Sequence, residues 1–218
     1  SIHSMSSSDF PCIASATTPC LQPQALAYND PAGADGTITP ITIWAASNAD
    51  LWVGGAVKRP TAASASFGPL LHLLQDTETV YGGQRNVTTV RHIDGANAND
   101  VWMVGTFTGR SEPQVFHWNG ANITSPTTGL DSVHFATVGA LGNGEAVAAG
   151  PVGIWRYDGV SWQREPVDIN PVINWRHIYA SSPSDIWVVG EQWWRDQGNS
   201  LVTRGVVYHF DGLSWSIR

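Results

Sequence analysis

A short motif recurs four times along the chain, and this repetition constrains the fold more than any other feature. Each copy is an apolar, strand-like run that ends in glycine, at residues 51–55, 101–105, 146–150 and 186–190. The final glycines lie 50, 45 and 40 positions apart, and a short turn segment precedes each run. Self-similarity of this period is typical of repeat architectures, in which each unit packs on its neighbours.

A second motif follows the first in three of the four units. It reads FHWNG, WRYDG and YHFDG and ends at Gly120, Gly159 and Gly212. Asn-Gly and Asp-Gly supply the positive backbone angles that tight hairpins require. Two copies continue through Ser to a tryptophan, at Trp162 and Trp215.

Each unit therefore predicts four short antiparallel strands. In the second unit we expect them at residues 87–93, 100–107 and 113–118, with a short fourth strand after Gly120. No long apolar stripe with a period of 3.6 residues predicts a helix. Four strands in each repeat of about 40 to 50 residues match a β-propeller blade, and radial repetition protects the sheet edges.

The sequence thus predicts an all-β protein, a propeller of about four four-stranded blades over residues 41–218. Residues 1–40 are expected to form an N-terminal extension. Two alternatives about closure stay open: a fifth, incomplete blade, or an added strand from residues 24–28.

The order of these motifs resembles the propeller repeats of secreted bacterial proteins of the SDIWVVG…YHFDGLSW type. It is more distantly similar to tectonin-type lectin repeats and to the Asp-box blades of sialidase-like propellers. The resemblance covers roughly residues 41–218 and implies a propeller that works outside the cytoplasm. Asp and Gly are adjacent here, unlike in the Asp-box, and no sialidase chemistry is carried over.

Composition narrows the choice of partner. Only 13% of residues are charged, the net charge is −7, and Lys58 is the only lysine. A chain without a basic patch lacks the cationic side chains that bind the phosphate backbone of nucleic acid. No apolar run approaches the roughly 20 residues of a membrane helix, so we expect neither nucleic acid nor a membrane span.

Two cysteines, Cys12 and Cys20, lie in a Ser/Thr/Pro-rich segment without any paired Cys/His spacing. We interpret them as a small-loop disulfide, which indicates an oxidising, extracytoplasmic compartment: secreted, periplasmic or at the cell surface. The alternative is two unrelated thiols.

Aromatic residues at repeated positions are expected to be structural. A position that recurs in each blade is one where the core between blades needs a large flat side chain. The aspartates before the second strand are expected to cap their own turns. The tryptophans at repeated positions, for which we expect this structural role, are Trp52, Trp102, Trp187, Trp162 and Trp215.

Two equivalent Arg-His pairs form the first candidate binding site. His92 and His177 each lie ten residues before a second-strand tryptophan, and Arg91 and Arg176 precede them. They fall on innermost strands of units that face each other, so all four side chains are expected to converge near the channel. Such a cluster suits an anionic group or, through neutral imidazoles, a metal ion. The alternative is that these residues pair locally.

Trp193, Trp194 and Arg195 form the second candidate site, because no other unit has them. They fall in a long connection between the second and third strands, where we expect a loop. Exposed aromatics beside polar groups bind sugars or partner side chains. The alternative is that they pack back over a blade edge.

The sequence carries no recognised catalytic motif, so a binding role is the leading hypothesis. We expect a non-enzymatic extracytoplasmic module that recognises a partner protein or surface polymer through propeller loops. No cofactor is expected. One alternative is that the chain acts as a subunit of a larger assembly. The alternatives are a lectin with pockets at the blades and an enzyme with an Arg/His site at the channel mouth.

Overall fold

The computed structural model describes residues 27–28, 36–58, 70–75, 77–81, 87–107, 115–130, 133–167, 169 and 173–218. These residues form strands and turns, arranged as four separate antiparallel sheets in chain order. The prediction of an all-β chain with about four blade-like units is confirmed. Cys12 and Cys20 lie outside the described residues, so their pairing stays a prediction.

Sheet 1 contains five strands, and the others contain four, each strand paired with the next along the chain. Sheet 1 is built from β1 (Ala27–Tyr28), β2 (Gly36–Ser47), β3 (Asp50–Lys58), β4 (Leu70–Leu74) and β5 (Thr77–Tyr81). Sheet 2 is built from β6 (Val87–Asn97), β7 (Asp100–Phe107), β8 (Val115–Trp118) and β9 (Ile123–Thr124). Sheet 3 is built from β10 (Thr137–Gly142), β11 (Glu145–Gly150), β12 (Gly153–Tyr157) and β13 (Trp162–Arg164). Sheet 4 is built from β14 (Ile173–Ser182), β15 (Asp185–Arg195), β16 (Leu201–Phe210) and β17 (Trp215–Ile217).

The strands predicted for the second unit are confirmed within the described residues, where β6 is four residues longer than expected and β8 is described from Val115. Sheet 1 begins earlier than the predicted boundary at residue 41, because β1 pairs with the start of β2 through Ala27–Thr37 and Tyr28–Gly36. The open alternative of an added N-terminal strand is therefore the arrangement observed.

Turn chemistry explains why the chain reverses where it does. Asp158 and Asp211 each accept hydrogen bonds through Oδ1 from the two backbone N–H groups that lie two and three residues ahead, at 2.8–3.0 Å. Gly159 and Gly212, which follow them, have φ values of +90° and +93°. Backbone hydrogen bonds also lower the pKa of both exposed carboxyl groups.

The sheets pack on one another in chain order through three apolar cores. Each sheet has a forward face, which carries the second-strand tryptophan position, and a backward face, which carries the flanking apolar positions. Trp52 on the forward face of sheet 1 packs with Val101 and Met103 on the backward face of sheet 2. The same pairing of faces forms the cores between sheets 2 and 3 and between sheets 3 and 4.

The arrangement is not closed between its ends. Among the described strands, extensive packing joins sheet 1 to 2, sheet 2 to 3 and sheet 3 to 4, and sheet 4 has no comparable contact with sheet 1. Within the described residues there is no helix of sufficient length and hydropathy to cross a membrane.

Candidate functional site

Two histidines from non-adjacent sheets meet at the centre of the arrangement. His92 on β6 and His177 on β14 have ring centroids 4.6 Å apart, and His92 Nε2 lies 2.8 Å from His177 Nδ1. The backbone N–H of Val138, on sheet 3, donates to His92 Nδ1 at 3.4 Å. His92 therefore carries its proton on Nε2 and donates it to His177, so this pair ties three sheets together.

Burial keeps His92 neutral, whereas His177 is exposed. Desolvation lowers the pKa of His92 to about 4, and the neighbouring charge of His177 lowers it further, against the opposing hydrogen bond from Val138. Asp94, on the same strand, accepts a hydrogen bond from the backbone N–H of Ala140 at 2.9 Å. Burial raises the pKa of Asp94 despite its backbone hydrogen bonds and the nearby His177.

The predicted convergence holds for the histidines and is wrong for Arg176. Its guanidinium donates to Glu191 Oε2 on the neighbouring strand at 3.0 Å, in an exposed ion pair. Arg91 is exposed, whereas the adjacent His92 is buried. Because His92 is neutral, Asp94 lies nearby and Arg176 is engaged by Glu191, the centre offers an anion less than a cluster of four cationic side chains would.

A second arrangement recurs in three sheets and joins an aspartate, a histidine and a tryptophan. The aspartate that opens the second strand accepts a hydrogen bond at 2.8 Å from the Nε2 of a histidine on the third strand. The histidine ring stacks on the second-strand tryptophan, with centroids 3.9–4.2 Å apart. The three sets are Asp50–His72–Trp52, Asp100–His117–Trp102 and Asp185–His209–Trp187.

Two of these aspartates make hydrogen bonds that the sequence did not predict. Asp100 and Asp185 also accept the indole N–H of the tryptophan two residues ahead, at 3.0 Å. The turn preceding Asp100 is capped by Asn97, whose Oδ1 accepts the backbone N–H of Asn99 at 2.9 Å. The prediction that these aspartates cap the backbone of their own turns is therefore wrong for Asp100 and Asp185, whose oxygens accept from a cross-strand histidine and from the tryptophan two residues ahead.

Electrostatics differ between the buried and exposed copies. Burial alone would raise the pKa of Asp100, but hydrogen bonds from His117, the backbone of Gly144 and Trp102 outweigh it and lower that pKa. Hydrogen bonds from Ser181 and His209 lower the pKa of Asp185. A carboxylate held by such donors stays ionised and fixes the histidine ring on the tryptophan.

Sheet 3 lacks this arrangement and uses a different link. Arg156 occupies the histidine position, and its Nε donates to Glu165 Oε1 at 2.7 Å. Trp215 of sheet 4 donates its indole N–H to the other oxygen of Glu165 at 3.1 Å. Arg156 also lies over the ring of Phe210 at 5.0 Å. The alternation of His and Arg at this position therefore reflects two kinds of structural partner.

His72 is a member of this set that the sequence analysis missed. The first unit has no Asp-Gly turn, so the motif alignment passed over residues 70–74. The cross-strand pairing of Trp52 with His72 matches that of Trp102 with His117 and of Trp187 with His209. A search for histidine opposite each second-strand tryptophan, rather than before each glycine, would have found it.

Repeated tryptophans differ in exposure. Trp52, Trp102 and Trp162 are buried, and Trp162 donates its indole N–H to the carbonyl of Pro126 at 2.8 Å. Trp187 and Trp215 are only half-buried. The three buried positions match the predicted structural role, whereas Trp187 lies on the uncovered forward face of sheet 4.

Trp193, Trp194 and Arg195 lie on β15, and the expectation of a loop is wrong. β15 and β16 remain paired for five residues beyond Gly190, ending with Arg195 opposite Leu201. This extension, residues 191–205, is called the arm below. At about 3.3 Å per residue, its paired strands continue for about 16 Å past Gly190. β14 still pairs with the first two of these residues, Glu191 and Gln192.

The arm holds its aromatic residues between polar groups. The guanidinium of Arg204 lies 5.6 Å from the ring centroid of Trp194 and also donates to Gln192 Oε1. Both Trp193 and Trp194 are half-buried. The indole N–H of Trp193 is buried and has no hydrogen-bond partner among the described residues.

No metal centre is formed within the part of the chain that the structure describes. Groups of three or more His, Cys, Asp or Glu close enough to hold a metal ion are absent there. The two central histidines bond to each other and to a backbone amide, and the remaining histidines of the repeated sets bond to aspartates.

The described residues define a class: an all-β repeat protein with four propeller-like units, one of five strands and three of four, in an unclosed arrangement. Comparison of the chain with protein-family models and with curated proteins gives no match.

Proposed function

We propose that this chain is a non-enzymatic binding module that acts outside the cytoplasm and recognises a partner protein or surface polymer through the arm. The observation that carries the proposal is the pairing of Trp194 with Arg204 on strands that extend beyond the blade. Tryptophan and arginine are the residues that most often dominate the energy of protein interfaces.

The arm is a feature of one sheet among the described residues. In sheets 1 and 2 the described pairing of second and third strands ends at Gly54 and Val104, and in sheet 3 the chain turns at Gly150. Function in repeat folds resides in such departures from the shared unit. One arm among the described residues favours one composite site over an identical pocket in each blade.

The tip of the arm is preorganised. Asp196 Oδ1 accepts the backbone N–H groups of Gly198 and Ser200 at 2.9 and 2.8 Å. Arg195 donates to the carbonyl of Asn199 at 2.8 Å. A tip that is already ordered loses little conformational entropy when it binds, which raises affinity for a given contact area.

The cation over Trp194 favours a protein partner over a sugar. Sugars stack on the flat face of an aromatic ring, and a guanidinium above the ring competes for that position. The exposed Leu201 at the tip adds an apolar contact. The extracytoplasmic part of the proposal rests on the composition and on the predicted Cys12–Cys20 disulfide.

The test compares the wild-type protein with the Trp193→Ala/Trp194→Ala variant. Both are screened by biolayer interferometry against a constrained random peptide library and a panel of immobilised polysaccharides. Leu213→Ala serves as the control, because Leu213 is exposed on the same sheet but outside the arm. We expect selected peptides that bind the wild type and the control and lose at least tenfold in affinity with the double variant.

Other outcomes would support an alternative hypothesis or contradict the proposal. Saturable binding of a defined polysaccharide at several sites per chain, unaffected by the double variant, would support the lectin hypothesis. No binding to either library by protein with an intact circular dichroism spectrum would contradict the proposal. The enzyme hypothesis has less support, since Arg176 is engaged by Glu191 and the central histidines bond to each other.

A further inference from the structure

Two linked hydrogen bonds cross the centre of the four sheets. The backbone N–H of Val138 on sheet 3 donates to His92 Nδ1 on sheet 2 at 3.4 Å, and His92 Nε2 donates to His177 Nδ1 on sheet 4 at 2.8 Å. These three residues are called the relay below. A backbone amide can only donate, so Val138 fixes the direction of both hydrogen bonds. Among the described strands, no extensive packing joins sheets 2 and 4 apart from this contact.

The relay has no place for a further proton. Each of its two contacts holds one proton between two nitrogen atoms, the amide proton of Val138 in the first and the Nε2 proton of His92 in the second. Neutral His177 accepts at Nδ1 and therefore carries its own proton on Nε2. A proton added to His177 goes to Nδ1, where it faces the Nε2–H of His92. The second contact then has two donors and no acceptor.

A change of tautomer at His92 moves this conflict to the first contact. If His92 carries its proton on Nδ1 instead, its Nε2 accepts from the charged His177. Its Nδ1–H then faces the amide of Val138, which also donates. Neutral His92 has one acceptor nitrogen, so the charged His177 and the Val138 amide cannot both donate to it.

Proton uptake between about pH 7 and pH 5, where histidine ordinarily gains its charge, involves His177 rather than His92. His177 is exposed to water, whereas His92 is 9% exposed. Burial and the neighbouring charge of His177 lower the pKa of His92 to about 4. His92 therefore stays neutral in this range, and its tautomer can respond to the charge on His177.

Few charged groups lie on the strands beside the relay. β6 carries the exposed Arg91 and the half-buried Asp94, and Arg176 of β14 is held by Glu191 of β15. Neither β2 nor β10 has an ionisable side chain. The residues paired with these inner-strand positions on the second strands are uncharged: Gly54, Val104, Ala148 and Val189.

The two contacts differ in strength, which decides which of them breaks. The distance from Val138 N to His92 Nδ1 exceeds the range of about 2.7–3.2 Å that is usual for such a bond, whereas the contact between the histidines is short. A charged donor makes a hydrogen bond about twice as strong as a neutral one. Asp94 interacts electrostatically with His177 and favours a charged ring that stays at the centre. The amide of Val138 is therefore the partner that His92 gives up.

We propose that His92 is a tautomer switch that carries protonation of His177 to the backbone of sheet 3. One proton is taken up from water. His177 then carries a proton on each ring nitrogen, His92 carries its proton on Nδ1, and the amide of Val138 is released. Sheets 2 and 4 stay joined through a charge-assisted hydrogen bond, while the bond between sheets 2 and 3 is lost. This inference concerns the centre of the fold and does not depend on the function of the arm.

Histidine side-chain NMR tests the switch directly. The nitrogen chemical shifts of the ¹⁵N-labelled imidazole rings distinguish protonated from unprotonated ring atoms. At about pH 7.5 we expect the proton of His92 on Nε2. At about pH 5 we expect it on Nδ1, with both nitrogens of His177 protonated.

Amide hydrogen exchange measures the release of Val138. Ala136 is the matched control, because its amide donates within sheet 3 to the carbonyl of Ala149 at 2.8 Å and lies outside the relay. After correction for intrinsic exchange rates, we expect the protection of Val138 to fall about tenfold relative to Ala136 between these pH values.

His177→Gln supplies a relay that cannot take up the proton. The Gln carbonyl accepts from His92 Nε2 at every pH, and the substituted side chain is exposed, so no core is opened. We expect the tautomer of His92 and the relative protection of Val138 to be independent of pH in this variant. Circular dichroism at each pH verifies that both proteins are folded.

Four results would contradict the proposal, and three of them come from the wild-type protein alone. His177 could stay neutral at about pH 5, or it could become charged while the proton of His92 remains on Nε2. Protection of Val138 and Ala136 could fall equally, which would show that sheet 3 responds as a whole. Finally, a His177→Gln variant with the wild-type pH response would assign that response to another group.

Discussion

His209 lies flat on Trp187, with ring centroids 3.9 Å apart, and its Nε2 donates to Asp185 at 2.8 Å. The same arrangement around Trp102 is buried, with the Asp100 side chain 7% exposed against 45% for Asp185. The two sets make the same contacts and differ in burial. Comparing them therefore measures how burial changes the contribution of such a set to stability.

We expect His117→Ala to destabilise the protein far more than His209→Ala. Removing His117 takes one hydrogen-bond donor from the buried Asp100 carboxylate, which lowers the unfolding free energy by about 2 kcal/mol. Removing His209 exposes Asp185 further to water, and the loss should stay below about 1 kcal/mol. Urea unfolding of both variants measures the difference. Equal losses would show that burial of the aspartate does not control the contribution of the set.

The pH dependence of stability should reveal His92. Its folded-state pKa of about 4 lies below the ordinary value of 6.5, because burial disfavours the charged form. As pH falls from 6.5 towards 4, the unfolded chain takes up a proton that the folded chain does not. Stability should therefore decline by about 1.4 kcal/mol per pH unit, or about 3 kcal/mol in all.

His92→Gln keeps an acceptor for the Val138 amide and a donor for His177 but does not titrate. The wild type minus variant difference in unfolding free energy, followed by urea titration from pH 4 to 7, isolates the histidine. Burial raises the pKa of Asp94, so its contribution to the unfolding free energy changes with pH in the opposite direction. Both proteins carry Asp94, so to first order this contribution cancels when their unfolding free energies are subtracted. A flat difference across this range would disprove the assignment of His92 as a buried neutral group.

Gly95 is required by the close approach of Trp44. A Cβ atom at Gly95 would lie 2.6 Å from the indole ring, closer than packed atoms can be. We expect Gly95→Ala to lower the unfolding free energy by about 1–3 kcal/mol through overpacking. Gly205→Ala is the matched control, because nothing lies within 4 Å of its added Cβ atom. Thermal melts that show equal effects would remove the packing explanation.

Much of the fold could be predicted because the repeat is recorded in local residues. The apolar runs ending in glycine and the Asp-Gly turns act within a few positions, so the strands of the second unit followed from them. The length of β16 and the arm were not predicted, because Asp196, Gly198 and Asn199 suit either the tip of a hairpin or a longer loop. Pairing there depends on cross-strand contacts.

The candidate sites were predicted less well for a related reason. Sequence equivalence placed His92 and His177 on matching strands, and the structure brings them together. It could not show that Glu191 engages Arg176, because that contact depends on the register of β14 and β15. The histidine partners of Asp50, Asp100 and Asp185 lie 17 to 24 residues away along the chain, beyond the reach of a turn motif.

The paired strands β10 and β11 of sheet 3 carry several small residues on each face. Ala146 and Ala148 pack towards sheet 2, and Ala149 and Gly139 towards sheet 4. Both faces of this strand pair are buried, so a displacement at one core moves the backbone that also lines the other. Substitutions in the core that faces sheet 2 are therefore expected to couple with substitutions in the core that faces sheet 4.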